Sequence, residues 1–368
     1  MLRLRASLAL AALLAPVLAS GPASGQASGQ SDPARWRFVY PGAKALIGVD
    51  WARIRQSPAG AMIREKWLTT DSLASIPGIE LLNDIDRVLI SSPGTNSPDD
   101  SAESPILVAL RGHFDAARVR QVFIHLGAKA QSYNSFQVYR PQSKVDDRET
   151  AWVLFDAETI LYGDAPSVFA ALDRNQFVQA SPQSSPAPGS VVARAGEMDA
   201  NYELWAIMDA TEILSSDPIA TLFRGGEWAP EAQGFEAGVN LREGLAAEVT
   251  VRFSSEATAK RMTAELTRVM NLAARDRSSG AEMRDIARKF KFSLDGSATR
   301  ISLRLTQQEL EKTADAFAES RKAPAQLAGN AAAIMPTPAN PPSGKPGMIR
   351  IEGLDEGTRE IPYEDGPH

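Results

Sequence analysis

Three histidines, forty-five acids and no cysteine set the chemistry open to this chain. A zinc centre needs three or four converging His, Cys or acidic ligands. His113 and His125 stand twelve residues apart with no shared helical face, and His368 is the last residue. No HExxH or His-x-His spacing occurs. Without cysteine, thiol nucleophiles, iron–sulfur clusters, zinc–thiolate sites and disulfides are excluded. No metal and no cofactor is expected.

A Ser–His–Asp relay would have to use His113 or His125. His113 lies in Arg111-Gly-His-Phe-Asp115, where a strand is expected to pass into a helix. The matching segment later in the chain, Arg252-Phe-Ser-Ser255, has no histidine and puts Ser where Asp115 stands. Asp and Ser share one property here, helix N-capping. Asp115 therefore reads as a cap and His113 as a surface loop residue. Asp50 and Asp209 each end an apolar run before a helix, so capping explains them as well. Asp84 and Asp86 read as a solvated turn opening a strand. No Gly-x-Ser-x-Gly elbow, phosphate loop, dinucleotide fingerprint or EF-hand loop is present. No catalytic residue is assigned.

Recognition residues remain. Six tryptophans are spread along the chain. Trp152 and Trp205 lie in apolar strands and read as core. Trp228, in the loop Gly225-Gly-Glu-Trp-Ala-Pro230, is a binding candidate, since an aromatic ring offers apolar area with a polar handle. Near the C-terminus Ile349, Ile351, Leu354 and Ile361 alternate with charges around the turn-forming Asp355-Glu-Gly357. These four are expected to order by adding to a sheet edge.

The elements that must position these residues follow a repeated pattern. The first copy runs Ala45–Asp50 (strand), a helix re-capped at Ser57-Pro58, strands over 86–91 and 105–111, a helix after Asp115, a strand over 136–139, and a strand–turn–strand over 152–162. A short helix with Val168, Phe169 and Leu172 closes it. The second copy repeats the order. Its strands cover 203–209, 234–241 and 246–253, a long helix follows Ser254 or Ser255, and a strand–turn–strand spans 290–305. Asp50 pairs with Asp209, Ser57-Pro58 with Asp217-Pro218, Arg111 with Arg252, and the Asp156 turn with the Asp295 turn. The expected fold class is α+β: two tandem related units, each a mainly antiparallel sheet with helices on one face, plus a disordered Pro-rich tail.

The N-terminus carries a targeting pattern. Arg3 and Arg5 precede an apolar stretch, Ala6 to Ala19, and then small residues follow. That is a secretory signal peptide, cut after Ala19 or Ala27. The expected organisation is 1–27 signal peptide, 28–35 flexible start, 36–175 first unit, 176–200 linker, 201–321 second unit, 322–348 tether and 349–368 a short β-prone end. The tether has six prolines, three glycines and seven alanines, a composition that builds no core.

Composition bounds the partners. The chain has 368 residues, 43% hydrophobic and 23% charged, enough for two medium units with a real core. A net charge of −6, made more negative by removing Arg3 and Arg5, argues against nucleic acid. No stable membrane insertion is expected once the signal is removed. The expected function is that of an exported, soluble, non-enzymatic binding or scaffold protein, periplasmic or extracellular. Its tail would reach an envelope protein. The alternative is an exported hydrolase using carboxylates at the seam between the units.

Overall fold

The computed structural model describes residues 36–63, 81–94, 105–142, 148–177, 190–209, 229–276, 281–315, 348–351 and 359–362. The signal segment, Trp228, Leu354, Asp217-Pro218 and residues 322–347 of the tether lie outside them. The chain divides into two compact units, residues 1–313 and 314–368.

The strands of the larger unit are β1 (Ala45–Asp50), β2 (Ile85–Ser92), β3 (Leu107–Gly112), β4 (Ala128–Tyr133), β5 (Phe136–Pro141), β6 (Thr150–Asp156), β7 (Thr159–Asp164), β8 (Leu204–Asp209), β9 (Ala232–Asn240), β10 (Leu245–Phe253), β11 (Lys291–Asp295) and β12 (Ala298–Leu305). They form one twelve-stranded sheet in the order β11-β12-β10-β9-β8-β1-β2-β3-β7-β6-β5-β4. Every pairing in it is antiparallel. The fold is thus mixed helix and strand around a large antiparallel sheet. The expectation of a separate sheet in each half is corrected by β1, which pairs along its length with β8, from Ala45↔Met208 to Val49↔Leu204.

The helices are α1 (Trp51–Gln56), α2 (Pro58–Ile63), α3 (Leu81–Asp84), α4 (Ala116–His125), α5 (Ala165–Phe177), α6 (Val191–Asn201), α7 (Glu256–Ala273), α8 (Ala281–Lys289) and α9 (307–315). They cover both faces, so the expectation of helices on one face is corrected too. Alternation along each strand and the registers sort the side chains. One face carries Val88, Val108 and Ile160 beneath Val119 and Phe123 of α4. It also carries Phe235, Val249 and Val251 beneath Ala259 and Met262 of α7. The other carries Leu107, Val153 and Leu161 beneath Val168 and Leu172 of α5. Next to them Leu46, Trp205 and Ile207 lie beneath Val191 and Ala195 of α6. The physical reason is visible in β3 and β7, which bury consecutive residues, Leu107-Val-Ala109 and Thr159-Ile-Leu161. A strand buried at successive positions needs cover on both sides.

Local chemistry starts the helices where the sequence places their caps. The Asp50 side chain accepts from Arg53 N, that of Asp115 from Arg118 N and that of Ser255 from Thr258 N. Ser57 Oγ accepts from Gly60 N at 3.0 Å. Residues 190–200, read from sequence as the end of a linker, include Ser190 as the N-cap of α6 and most of that helix.

The smaller unit contains β13 (Met348–Ile351) and β14 (Arg359–Pro362), an antiparallel pair forming a sheet of their own. Ile349 stands opposite Ile361, and Ile351 opposite Arg359. The two strands bond to each other.

Candidate functional site at the sheet's seam

The seam where β1 meets β8 gathers three carboxylates and three guanidinium groups. Asp50 ends β1, Asp199 sits in the last turn of α6, and Glu203 stands just before β8. They are 3%, 7% and 0% exposed. Burial this deep is costly for a carboxylate unless its oxygens are paired and hydrogen-bonded.

All six oxygens are engaged. Asp50 Oδ1 accepts from Arg53 N at 3.0 Å, and Oδ2 from Arg53 Nε at 2.8 Å. Arg87 Nη2 reaches the same Oδ2 at 2.7 Å. Asp50 and Arg87 are cross-strand partners in register, so opposite charges face each other across the ladder. Arg87 then turns its Nη1 to Asp199 Oδ2 at 3.2 Å. Asp199 Oδ1 accepts from Trp205 Nε1 at 3.2 Å. Glu203 Oε1 accepts from Arg242 Nε at 2.9 Å, with Arg53 Nη1 at 3.4 Å, and Oε2 accepts from Leu241 N at 2.9 Å. Arg53 Nη2 also donates to the carbonyls of Asp199 and Tyr202, at 2.8 and 3.2 Å.

Beside this network, on the same face, lies a strip of polar side chains on β9, β10 and β12. Glu236 accepts from Arg194 at 2.8 Å and Arg252 at 2.9 Å. Glu248 faces Arg300 at 3.1 Å. The Tyr202 hydroxyl stands 3.5 Å from Glu248. Burial, reinforced by that carboxylate, pushes the phenol up to about 12.

The arrangement clamps the chain: each of the six oxygens already accepts a hydrogen bond from it. A carboxylate acting as nucleophile, acid or base must turn an oxygen towards the reacting atom. Here each one is turned towards arginine, indole or backbone. Elsewhere, Asp86 pairs with Arg55 at 2.7 Å, and Asp84 lies 3.5 Å from Arg118. His113 is in the loop between β3 and α4, largely exposed, 3.8 Å from Asp86. Trp205 is fully buried, and Trp152 stacks on Tyr162 at 4.0 Å between centroids. Asp209 ends β8 partly exposed, with Arg194 at 3.3 Å. Among the described residues no three acids or histidines come together as a metal-binding group, and no helix is long and apolar enough to cross a membrane.

Of the sequence candidates, Trp228 and Leu354 lie outside the described residues. Ile349, Ile351 and Ile361 are together on the small hairpin. The structure adds Arg53, Arg87, Asp199, Glu203 and Arg242. One signal was available for Arg53: it follows a capping Asp at the i+3 position on the first helical turn.

No family model matches the sequence, and no curated protein matches it. Among solved structures the chain is similar to TP0453 in several crystal forms. Form III aligns with a TM-score of 0.49 at 10% identity, over 74% of this chain and 94% of that one. Form IV aligns with a TM-score of 0.45 at 12% identity, over 76% and 95%.

Proposed function

We propose that this chain is an exported, soluble, non-enzymatic binding or scaffold protein of the bacterial envelope, periplasmic or extracellular. The observation that carries the non-enzymatic reading is that every carboxylate oxygen of Asp50, Asp199 and Glu203 is turned to an arginine, indole or backbone donor. The rival reading, a hydrolase with carboxylates at the seam, needs these same groups and finds their oxygens occupied. Export rests on the charged start, apolar stretch and small residues of 1–27.

We infer further that the two halves are tandem copies. From the seam outward, β1-β2-β3-β7-β6 on one side answers β8-β9-β10-β12-β11 on the other. A capped helix, α4 or α7, follows the third strand of each set and packs on the same face. Arg111 and Arg252 project from the opposite face of those third strands. The hairpin β4–β5 has no counterpart. In this reading the tail carries the partner site, with Ile349, Ile351, Leu354 and Ile361 presented on a tether of about 29 Å root-mean-square span. Trp228 is the second candidate contact.

The test has two arms. Glu203→Gln and Asp50→Asn should each lower stability by about 2–3 kcal/mol, below the ~3–5 of a fully buried pair because Arg53 and Arg87 keep part of their surface in water. Neither should remove an activity. Ester, amide or glycoside turnover by the wild type, lost in a folded Glu203→Gln, would overturn the non-enzymatic reading. In the second arm a photocrosslinking residue replaces Ile361 in cells. It should capture one envelope protein, and Ile351→Asp should abolish the capture.

A further inference from the structure

The twelve-stranded sheet is open, so β11 and β4 each have one side unpaired among the described residues. An unpaired strand edge is a ready template for another strand. The two edges differ in what they present.

The turn between β11 and β12 fixes which backbone groups of β11 point outward. Asp295 and Ala298 flank the two-residue loop Gly296-Ser297, with Gly296 at φ +56°. Residues flanking a two-residue hairpin loop form a hydrogen-bonded pair, and such pairs alternate along an antiparallel ladder. Lys291, Ser293 and Asp295 therefore spend their backbone groups on β12. Phe292 and Leu294 turn their N–H and C=O to the open edge.

A second β11 placed antiparallel about a twofold axis at Ser293 answers this edge group for group. Phe292 of one copy meets Leu294 of the other, giving four backbone hydrogen bonds across the axis. Their side chains lie on the same face, where Leu294 is 38% exposed. On the opposite face Lys291 meets Asp295 of the second copy, twice. Lys291 is exposed, and the Asp295 side chain is 70% exposed, held at 3.1 Å by Arg300. The same operation on β4, about Gln131, sets Lys129 against Tyr133 and Ala130 against Ser132, with no opposite-charge pair.

We propose that β11 is a dimerisation edge, at which a second copy of this chain pairs antiparallel about Ser293 so that the sheet runs through both copies. An isologous interface requires the strand to be complementary to its own reverse, and Lys-Phe-Ser-Leu-Asp meets that requirement in charge and in apolarity.

Sedimentation equilibrium of the full chain tests it. The wild type should dimerise. Lys291→Asp alone, or Asp295→Lys alone, sets two like-charge contacts across the axis and should weaken the dimer at least tenfold. An equimolar mixture of these two variants restores both opposite-charge contacts and should dimerise like the wild type. Leu294→Pro removes an N–H that the β11–β12 ladder does not use, so the fold should survive by circular dichroism while the dimer is lost. A wild type that stays monomeric at 100 µM (about the upper end of such measurements) would overturn the proposal. So would single variants that dimerise like the wild type, or a mixture that behaves no better than its components.

Discussion

Tyr202 shows how this sheet sets the chemistry of single residues. Its ring lies on Gly238, where a Cβ would come within 2.4 Å of it, and its hydroxyl faces Glu248. Burial and that carboxylate both oppose the phenolate, which raises the folded pKa from 10.0 to about 12. The unfolded chain ionises at the ordinary value, so the stability contribution is complete below pH 10.0 and is lost as pH rises towards 12. In an absorbance titration of the folded protein, Tyr202 should ionise later than an ordinary tyrosine. Tyr133 should lag as well, because its hydroxyl is hydrogen-bonded to Asp173, which raises its pKa. Tyr202→Phe should remove one late step and flatten the fall in stability between pH 10 and 12; a variant titrating like the wild type would contradict this account. Residue roles that depend on near neighbours were legible in the sequence. Asp50, Ser57, Asp115 and Ser255 cap the helices assigned to them because a cap is read within three residues. The second role of Asp50 was not legible, since its network joins groups such as Arg87 and Asp199 across 112 residues.

Two glycines on neighbouring strands make room for rings at the seam, Gly48 for the Trp205 indole and Gly238 for Tyr202. In register, Trp205 of β8 stands between Gly48 of β1 and Gly238 of β9. A Cβ on Gly48 would lie 2.2 Å from the Trp205 ring. Gly48→Ala should therefore push the indole away from Asp199 and cost about 1–3 kcal/mol, as overpacking does. Tryptophan fluorescence should shift to the red as the indole loosens; an unchanged spectrum and melting temperature would show that the site relaxes freely. Strands with strong apolar runs were legible at the element scale, among them β1, β3, β7 and β10. The helix α6 was not, because its buried face is Val191, Ala195 and Asp199, two small or medium residues and an acid. Such a stripe has little apolar signal, yet it lets the helix approach the sheet closely. β4 was missed for the opposite reason: as an edge strand it leaves Lys129, Ala130, Gln131 and Ser132 exposed, so no alternation is imposed on it.

At the scale of the whole unit, the seam makes one sheet out of two runs of strands. Among the described residues it is crossed by antiparallel backbone pairing, by apolar packing under α6, by Ile54 and Ala59 against Val239, Leu241 and Leu303, and by the arginine network. The Arg53 side chain holds four acceptors, and three of them, Asp199 O, Tyr202 O and Glu203 Oε1, belong to the second half. This predicts a difference between an intact and a cut chain. A protease site inserted between residues 178 and 189, then cleaved, should leave the halves eluting together under native conditions, because the β1–β8 ladder and the network do not use that connection. Arg53→Ala should be mild in the intact chain, where the covalent link keeps the second half at an effective concentration of the order of millimolar. In the cut chain the same substitution acts on a bimolecular equilibrium at micromolar protein and should release the halves. Size-exclusion chromatography of the four combinations checks this. Halves that separate on cleavage of the wild type would mean that the link, and not the seam, holds the unit together. Equal behaviour of both cut proteins would mean that backbone pairing and apolar packing suffice without Arg53.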